Sequence, residues 1–574
     1  MSTDREYQGP TAPPAVGHTA ALVDLLLTVG YIDGVFHARE QAFVERYLES
    51  VLVLVEASDR SGPAGGQALR EATAAQFAAL YAQLNELIAR LRVEVMTSGD
   101  ESYVPTRLKV RAVTLFRGFT PAEQTTALEL VRALMHADGV ITAPEQLLYE
   151  ELLGYFTTAP RPADALAPTL VGAPAVSVGQ PAAAPTFEVT PIVARPLQAL
   201  AHPLLDPLEQ TFSPHPGELS GQIALDYQLV SHAMTTWHRL RAHGHGRLAG
   251  VTDVGQIPSG AQFLDGCVHV LRPARPTEVI VLGDLHGCYS CLKGALLQTN
   301  FVNRVWAHQW DPANHGDVKL VFLGDYIDRG RFSFDGVLRA VLQLQVAMPD
   351  NVVVLRGNHE YFHSRDGHVW SGVHPAEALA SLSPHVPREM LEAYRILFDH
   401  MPTSCLLDRT LLVHGGIPRD DTLAERYRDL GSLNDGELRF QMMWSDPEQV
   451  DHIPVELQRQ NARFSFGRDQ FRAFMERVGV TTMIRGHEKI DRGFEVVYDL
   501  GAHRLLNLFS AGGRHNRDLP VDASYRSVTP MALTIHCDGG RQRAVPWPIQ
   551  YEAFNSEVHN GFHRPAPLLE FRYV

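Results

Sequence analysis

The sequence predicts an α/β domain in the C-terminal half of the chain, with an all-α domain in front of it. Three observations carry this. First, five short runs rich in Val, Ile and Leu each end in glycines and polar residues: EVIVL (278–282) into GDLHG, VKLVFL (318–323) into GDYIDRG, NVVVL (351–355) into RGNHE, TLLV (410–413) into HGG, and TTMI (481–484) into RGHE. Apolar runs of this length, separated by helical patterns, read as buried strands. Second, residues 18–157 repeat their apolar residues at spacings of three and four, the period of a helix with one buried side. Third, residues 158–218 are rich in Pro and Ala without sustained periodicity, the composition of a semi-extended linker. The organisation expected is therefore helical domain (1–157), linker (158–218) and α/β domain (219–574).

Size and charge agree with more than one domain and narrow the partners. A chain of 574 residues is too long for one core, since domains run to roughly 150 residues each. Lys and Arg number 50 against 65 Asp and Glu, a net charge of −15, which argues against nucleic acid or an anionic membrane as the partner. The first residues, MSTDREYQGPTAPP, lack the basic start and apolar run of an export signal, and no uncharged apolar stretch approaches the ~20 residues of a membrane span. A cytoplasmic location is expected. Five cysteines, at 267, 288, 291, 405 and 537, do not suggest a disulfide framework.

The helical region contains a repeat. DGVFHAREQ, from Asp33, returns as DGVITAPEQ, from Asp138, at an offset of 105 residues, each copy following an apolar helix. Asp-Gly makes a turn, and Glu40 or Glu145 then falls in the first turn of a helix, where an acid favours the dipole. Two carboxylates per copy are too few to specify a cation. The stretch resembles the TerB-like module of tellurite-resistance proteins, which implies a sensing or interaction role. The HGHG at 243–246 reads as solvent-exposed loop histidines.

In the α/β region each polar motif follows directly on a strand, and open α/β sheets place ligand sites beyond the C-terminal ends of their strands. Five such loops on one rim gather Asp284, His286, Asp325, Asp328, Asn358, His359, His414 and His487. Glycines beside them let the chain turn and leave room for a ligand. Carboxylate, imidazole and amide ligands together suit Mn, Fe or Zn better than Ca, and one bridging carboxylate lets two cations share a site.

The ordered set GDLHG, GDYIDRG, RGNHE, HGG and RGHE, extended by MMWSDP (442–447) and LFSA (508–511), resembles that of the PPP-type Ser/Thr protein phosphatases of the metallophosphoesterase superfamily. The resemblance covers roughly residues 270–540. It implies a β-sandwich flanked by helices (αββα) and two divalent ions, Mn foremost, with Fe or Zn as alternatives. Asp284 and His286 would ligate one metal, Asn358, His414 and His487 the other, and Asp325 would bridge. The activity implied is direct in-line hydrolysis of phosphoserine or phosphothreonine in a protein by a hydroxide that both metals activate. His359 would be the general acid, Asp328 its partner, and Arg329 a fork on the phosphate oxygens. Arg356 reads instead as a prop of its loop, a role equally open to Arg485, and Glu360 and Glu488 read as carboxylates behind the ligands or on the surface.

Two departures concern the phosphate pocket. Gln460 stands where the family carries an arginine, and Arg463, three residues on, is the candidate substitute. SAGGRHN replaces SAPNY, so that Arg514 stands where a pocket tyrosine is expected and becomes a further phosphate-binding candidate. Cys288-x-x-Cys291 has no second CxxC to complete a zinc site. Cys288, Cys291, Leu292, Ala295 and Leu296 share one helical stripe, which predicts core-facing thiols, although a helix N-terminus and a nearby cation would favour a thiolate at Cys288. The partners expected are a phosphorylated protein and a regulatory partner of the helical domain. Hydrolysis of dinucleoside polyphosphates is the closest alternative activity, and a non-catalytic phosphoprotein-binding scaffold is the alternative of another kind.

Overall fold

The apolar runs become strands with both faces covered. The computed structural model describes residues 16–32, 36–47, 108–137 apart from 110, 114, 117 and 118, 141–157, 186–365, 367–460 and 463–565. The chain divides into two units, Met1–Val178 and Gly179–Val574. In the second, the described strands in chain order are β1 (Thr186–Val189), β2 (Gln262–Asp265), β3 (Val268–Leu271), β4 (Thr277–Leu282), β5 (Asp317–Phe322), β6 (Val352–Val354), β7 (Phe362–Arg365), β8 (His368–Ser371), β9 (Ser404–Leu407), β10 (Thr410–Val413), β11 (Thr482–Arg485), β12 (Phe494–Asp499), β13 (Arg504–Leu508), β14 (Met531–Asp538) and β15 (Arg541–Pro548).

Two sheets result, ordered β1-β15-β14-β4-β5-β6 and β12-β13-β11-β10-β9-β3-β2, with β7 and β8 a separate hairpin. Val279, Val281, Val321 and Val353 of the first sheet meet Cys405, Leu412, Ile484 and Leu506 of the second in one cluster between the sheets. The alternate residues Ile280, Leu282, Leu320 and Phe322 point outward, where Leu292 and Leu296 of helix Tyr289–Thr299, Val341 and Leu344 of helix Arg339–Ala347, and Trp237 of helix Pro216–Gly244 cover them. Behind the second sheet, Leu411, Val413, Met483 and Leu505 pack with Phe471, Phe474 and Met475 of helix Arg468–Val478. This αββα layering explains the lack of polar alternation in the runs: neither face of these strands meets water. Each fully buried aliphatic or aromatic side chain contributes about 1.5–3 kcal/mol.

The structure differs from the sequence expectation at the linker. β1 pairs in parallel with β15, and Leu205 and Phe212 are buried in the core on the helix side of the first sheet. Asp206 (3.1 Å) and Glu209 both pair with Lys293, which is 1% exposed on helix Tyr289–Thr299. Residues 186–218 thus belong to the α/β unit. Their Pro-rich composition concealed this because a four-residue edge strand borrows its pairing from a partner some 350 residues away and needs no amphipathic pattern of its own.

Cys288 caps helix Tyr289–Thr299, and both it and Cys291 are 0% exposed in the core. Burial and the adjoining Cys288 push the Cys291 thiol well above its ordinary value. This is the core-facing arrangement. His243 and His245 are exposed, as expected, but His243 and Gly244 end helix Pro216–Gly244 and are not part of a loop.

In the first unit, the described helices include Val16–Gly30, residues 38–47, Pro121–Met135 and Ala143–Thr157. The repeat is visible in one contact made twice. Glu40 Oε2 accepts from the His37 backbone N–H (2.9 Å), and Glu145 Oε2 accepts from the Thr142 N–H (2.6 Å) and hydroxyl (2.9 Å). Each acid reaches back three residues to satisfy a donor at its helix start, the role the turn-and-helix reading assigns it. Asp33 and Asp138 lie outside the described residues. No helix among the described residues is long and apolar enough to cross a membrane.

Candidate metal centre

The loops after β4, β5 and β6 in one sheet, and after β10 and β11 in the other, converge on one rim. Tight approach is what the glycines provide: a Cβ on Gly283 would stand 2.0 Å from the Leu508 carbonyl oxygen, and one on Gly357 2.1 Å from Asp325 Oδ1. Five other residues of these loops adopt the left-handed region without being glycine: His286 (φ 41°), Asp325 (54°), Asp328 (68°), Arg329 (64°) and His487 (70°). Such a conformation costs about 1–3 kcal/mol per residue and persists only where the surroundings enforce it. Here the Leu285 and His286 N–H groups both donate to the Asp325 carbonyl (3.0 and 2.9 Å), locking the first two loops together.

The side chains form two donor sets with Asp325 between them. His286 Nε2 lies 3.5 Å from Asp325 Oδ2 and 3.8 Å from Asp284 Oδ2. Asp325 Oδ1 faces the other way, 3.4 Å from His414 Nε2. Asn358 Oδ1 is 2.9 Å from His414 Nε2 and 3.0 Å from His487 Nδ1. All these residues are buried apart from the half-buried His487. The far nitrogens fix the tautomers: His286 Nδ1 donates to the Ile327 carbonyl (3.0 Å) and His414 Nδ1 to the Leu323 carbonyl (3.1 Å). Their Nε2 lone pairs then point at carboxylate and amide oxygens, which are acceptors too. Acceptors that converge in this way fit a divalent cation, whose bonds of about 2.0–2.2 Å set neighbouring donors some 3 Å apart.

Electrostatics support the same fit. Burial pushes the Asp284 carboxyl up to about 7 and that of Asp325 up to about 8, and it drives His286 and His487 well below the usual imidazole range. Carboxylates so placed are held as anions by a cation, and neutral imidazoles are the form that ligates one.

His359 stands at the edge of the first set. Its Nδ1 is 2.7 Å from Asp328 Oδ2, its Nε2 is 3.9 Å from Asp325 Oδ2, and its backbone N–H donates to Asp325 Oδ1 (3.0 Å). His286, Asp325 and His359 also lie close enough to form a ligand group by distance alone, but the Asp328 contact occupies one His359 nitrogen and orients the ring. The other oxygen of Asp328 accepts from the Ala378 N–H (2.8 Å).

This rim coincides with a family match: the sequence profile of the calcineurin-like phosphoesterases matches residues 277–491, from β4 through the loop that carries His487. Residues 277–491 form a calcineurin-like phosphoesterase domain. Among curated proteins, a probable serine/threonine-protein phosphatase of Encephalitozoon cuniculi is 30% identical over 282 residues, 48% of this chain and 55% of that protein. The catalytic subunit of serine/threonine-protein phosphatase 4 of Saccharomyces cerevisiae is 26% identical over 240 residues, 41% of this chain and 69% of that protein. The chain thus spans about half the length (55%) of the first of these relatives. A solved protein serine/threonine phosphatase from Saccharomyces cerevisiae, with similarity to human phosphatase PP5, covers 57% of this chain and 90% of its own at 16% identity, with a TM-score of 0.36.

Around the phosphoesterase centre the arginines divide. Arg463 Nη1 is 2.9 Å from His487 Nε2 and 3.8 Å from Asp446 Oδ2, so the candidate substitute does reach the site. Arg329 Nη1 pairs with Glu377 Oε1 (2.9 Å) beside the Asp328 loop. Arg514 is exposed, and the contact described for it is its carbonyl accepting from Arg526 Nη1 (3.0 Å). It follows two glycines in unusual backbone conformations, Gly512 and Gly513 (φ 148° and 112°). Arg356, on Asp399 (3.0 Å) and the Glu360 carbonyl (3.2 Å), and Arg485, on Asp446 (2.9 Å) and Glu488 (2.6 Å), hold loops as their context suggested.

Two residues near the centre escaped the sequence reading, and the structure decides the place of a third. Asp446 of MMWSDP links Arg485 to the His487 side. Tyr525 carries its hydroxyl to 3.4 Å from His286 Nε2, with no local pattern to announce it. Glu360 lies behind the ligands, one of the two places its position suggested: fully buried, its carboxylate accepts from the N–H groups of Asp325 (2.9 Å), Tyr326 (2.8 Å), Ile327 (3.4 Å) and Gly357 (3.0 Å). Burial and the Asp325 charge push it up to about 8, while the backbone donors pull the other way. Glu360→Gln leaves one oxygen for these donors and turns an NH₂ toward the rest. The expected loss is about 3 kcal/mol of stability, together with weaker metal binding. Thermal unfolding and calorimetric metal titration check it, and an unchanged Tm with unchanged affinity would refute it.

Proposed function

We propose that the phosphoesterase domain is a metal-dependent phosphomonoesterase acting on phosphoserine or phosphothreonine in proteins. The observation that carries this is the Asp325 carboxylate, one oxygen facing His286 and Asp284, the other facing His414, Asn358 and His487, with the His359–Asp328 pair at its edge. Asp284, His286 and Asp325 would hold one ion, and Asp325, Asn358, His414 and His487 a second. Their oxygen and nitrogen donors suit Mn, with Fe or Zn as alternatives. When bound, two such ions lower the pKa of a shared water and offset charge on the phosphoryl oxygens.

The chain's own residues supply the rest. Arg463, at His487, and Arg329, beside Asp328, bring guanidinium charge to the phosphate. His359 gives its Nε2 proton to the departing alkoxide, so that a serine or threonine hydroxyl leaves neutral. Burial works against the imidazolium this requires and pushes the His359 ring well below its usual range. The Asp328 carboxylate at 2.7 Å favours the charged ring and fixes its orientation. The helical unit, with its repeated turn and helix, is read as a docking or regulatory module.

Hydrolysis of dinucleoside polyphosphates and phosphoprotein binding without turnover are the competing readings. Protein reconstituted with Mn and assayed side by side on phosphopeptides and diadenosine tetraphosphate separates all three. Faster release of phosphate from the peptides is expected. Faster cleavage of the dinucleotide would overturn the substrate assignment, and phosphopeptide binding with no hydrolysis would favour the scaffold.

A further inference from the structure

The loop between β13 and β14 departs from the pattern that the sequence resembles, and the structure shows what it puts at the centre instead. Tyr525 Oη lies 3.4 Å from His286 Nε2, the nitrogen that faces Asp284 and Asp325. The ring is held on two sides, by His286 (centroids 5.2 Å apart) and by Phe509 (5.2 Å, edge-on). The loop behind it is pinned. Arg526 donates to the carbonyls of Pro520 (2.6 Å), Leu519 (2.7 Å) and Arg514 (3.0 Å), and Ser527 Oγ donates to Asp491 Oδ1 (2.8 Å). A hydroxyl carried on so many fixed contacts is preorganised and needs no reordering when a ligand arrives.

Resting on the phosphatase reading above, we propose that the Tyr525 hydroxyl is a phosphate-binding donor, contacting a phosphoryl oxygen on the His286 side while Arg463 serves the His487 side. Three points on the molecule lead there. His286 Nδ1 is committed to the Ile327 carbonyl, so the hydroxyl stands over the ring's metal-facing nitrogen, within reach of any oxygen bound next to it. Arg463 approaches the opposite end of the donor array, 2.9 Å from His487 Nε2, while Tyr525 stands with Arg329 at the His286 end. Arg514, whose place in the sequence suggested a pocket residue, faces solvent.

The test uses the full chain with Tyr525→Phe, which removes only the hydroxyl, and Arg514→Ala for comparison. Mn binding is measured by calorimetry, inorganic phosphate as a competitive inhibitor, and phosphopeptide hydrolysis as KM and kcat separately. In Tyr525→Phe the phosphate Ki and the KM are expected to rise about 10-fold, the size of a lost hydrogen bond to a charged group. Mn affinity should stay within about 2-fold of the parent, and Arg514→Ala should match the parent in Ki. An unchanged Ki in Tyr525→Phe overturns the proposal. So does a loss of Mn affinity, which would make the hydroxyl a support of His286, and so does a rise in Ki confined to Arg514→Ala. A parent protein that binds Mn yet neither hydrolyses phosphopeptide nor binds phosphate would instead remove the phosphatase reading, and this inference with it.

Discussion

Replacing His359 with Asn is expected to lower kcat on phosphopeptides by about 10²–10⁴-fold, the range over which a positioned general acid contributes, while leaving the bound metal in place. The two halves of this expectation have separate origins. The ring carries the proton: Asp328 sits 2.7 Å from Nδ1, and Nε2 points toward Asp325, where the scissile group would lie. The backbone does structural work that the substitution spares, since the residue's N–H donates to Asp325 Oδ1 at 3.0 Å whatever its side chain. Metal content by elemental analysis and kcat by phosphate release read the two halves independently. Equal kcat in variant and parent would take His359 out of the mechanism. A loss of metal would show it to be a ligand, a role its distance to Asp325 and His286 alone would allow.

Asp325→Asn should have a still broader effect, because one carboxylate faces both donor sets. The amide has a single acceptor oxygen and no charge, so it can serve His414 at 3.4 Å or His286 at 3.5 Å but cannot bridge them. Loss of residues that merely orient metal ligands costs about 10–100-fold in affinity. Removing the shared ligand should exceed that and reduce turnover to background. Titration of stripped protein with Mn should show two sites in the parent and at most one weak site in the variant. Two sites of parental affinity in Asp325→Asn would dissolve the bridging assignment and, with it, the dinuclear reading of the centre. Asp284→Asn is the informative companion: its carboxylate lies 3.8 Å from His286 Nε2 but also accepts from the His487 backbone N–H (3.0 and 3.1 Å), so it should weaken the His286 site most and the other site less.

How far the centre could be read from sequence depends on how local its causes are. Asp284, His286, Asp325, Asn358, His414 and His487 were legible because each stands one to four residues beyond an apolar run, in a motif whose glycines advertise a tight turn. Strand and turn are both short-range properties of a chain. Arg463 was legible only as a guess that the structure places beside His487. Arg514 could not be placed from its sequence position, which says nothing of direction; its side chain is exposed after two glycines in unusual conformations. Glu360 was legible only as a carboxylate behind the ligands or on the surface: that it gathers four backbone N–H groups from two loops is a fact about those loops in space.

By itself, then, the sequence determined the strands, the order of the motifs, the ligand types at their ends and the repeated helix start of the N-terminal unit, since period, turn chemistry and capping act over a few residues. Only the tertiary structure decided which oxygen of Asp325 faces which imidazole, that residues 186–218 join the α/β unit through β1 and the Lys293 ion pairs, and that Tyr525 comes to lie over His286. The physical reason is the same in each case. These are contacts between groups far apart along the chain, 239 residues for Tyr525 and His286, and packing two sheets face to face creates them without leaving any periodicity in the residues that meet.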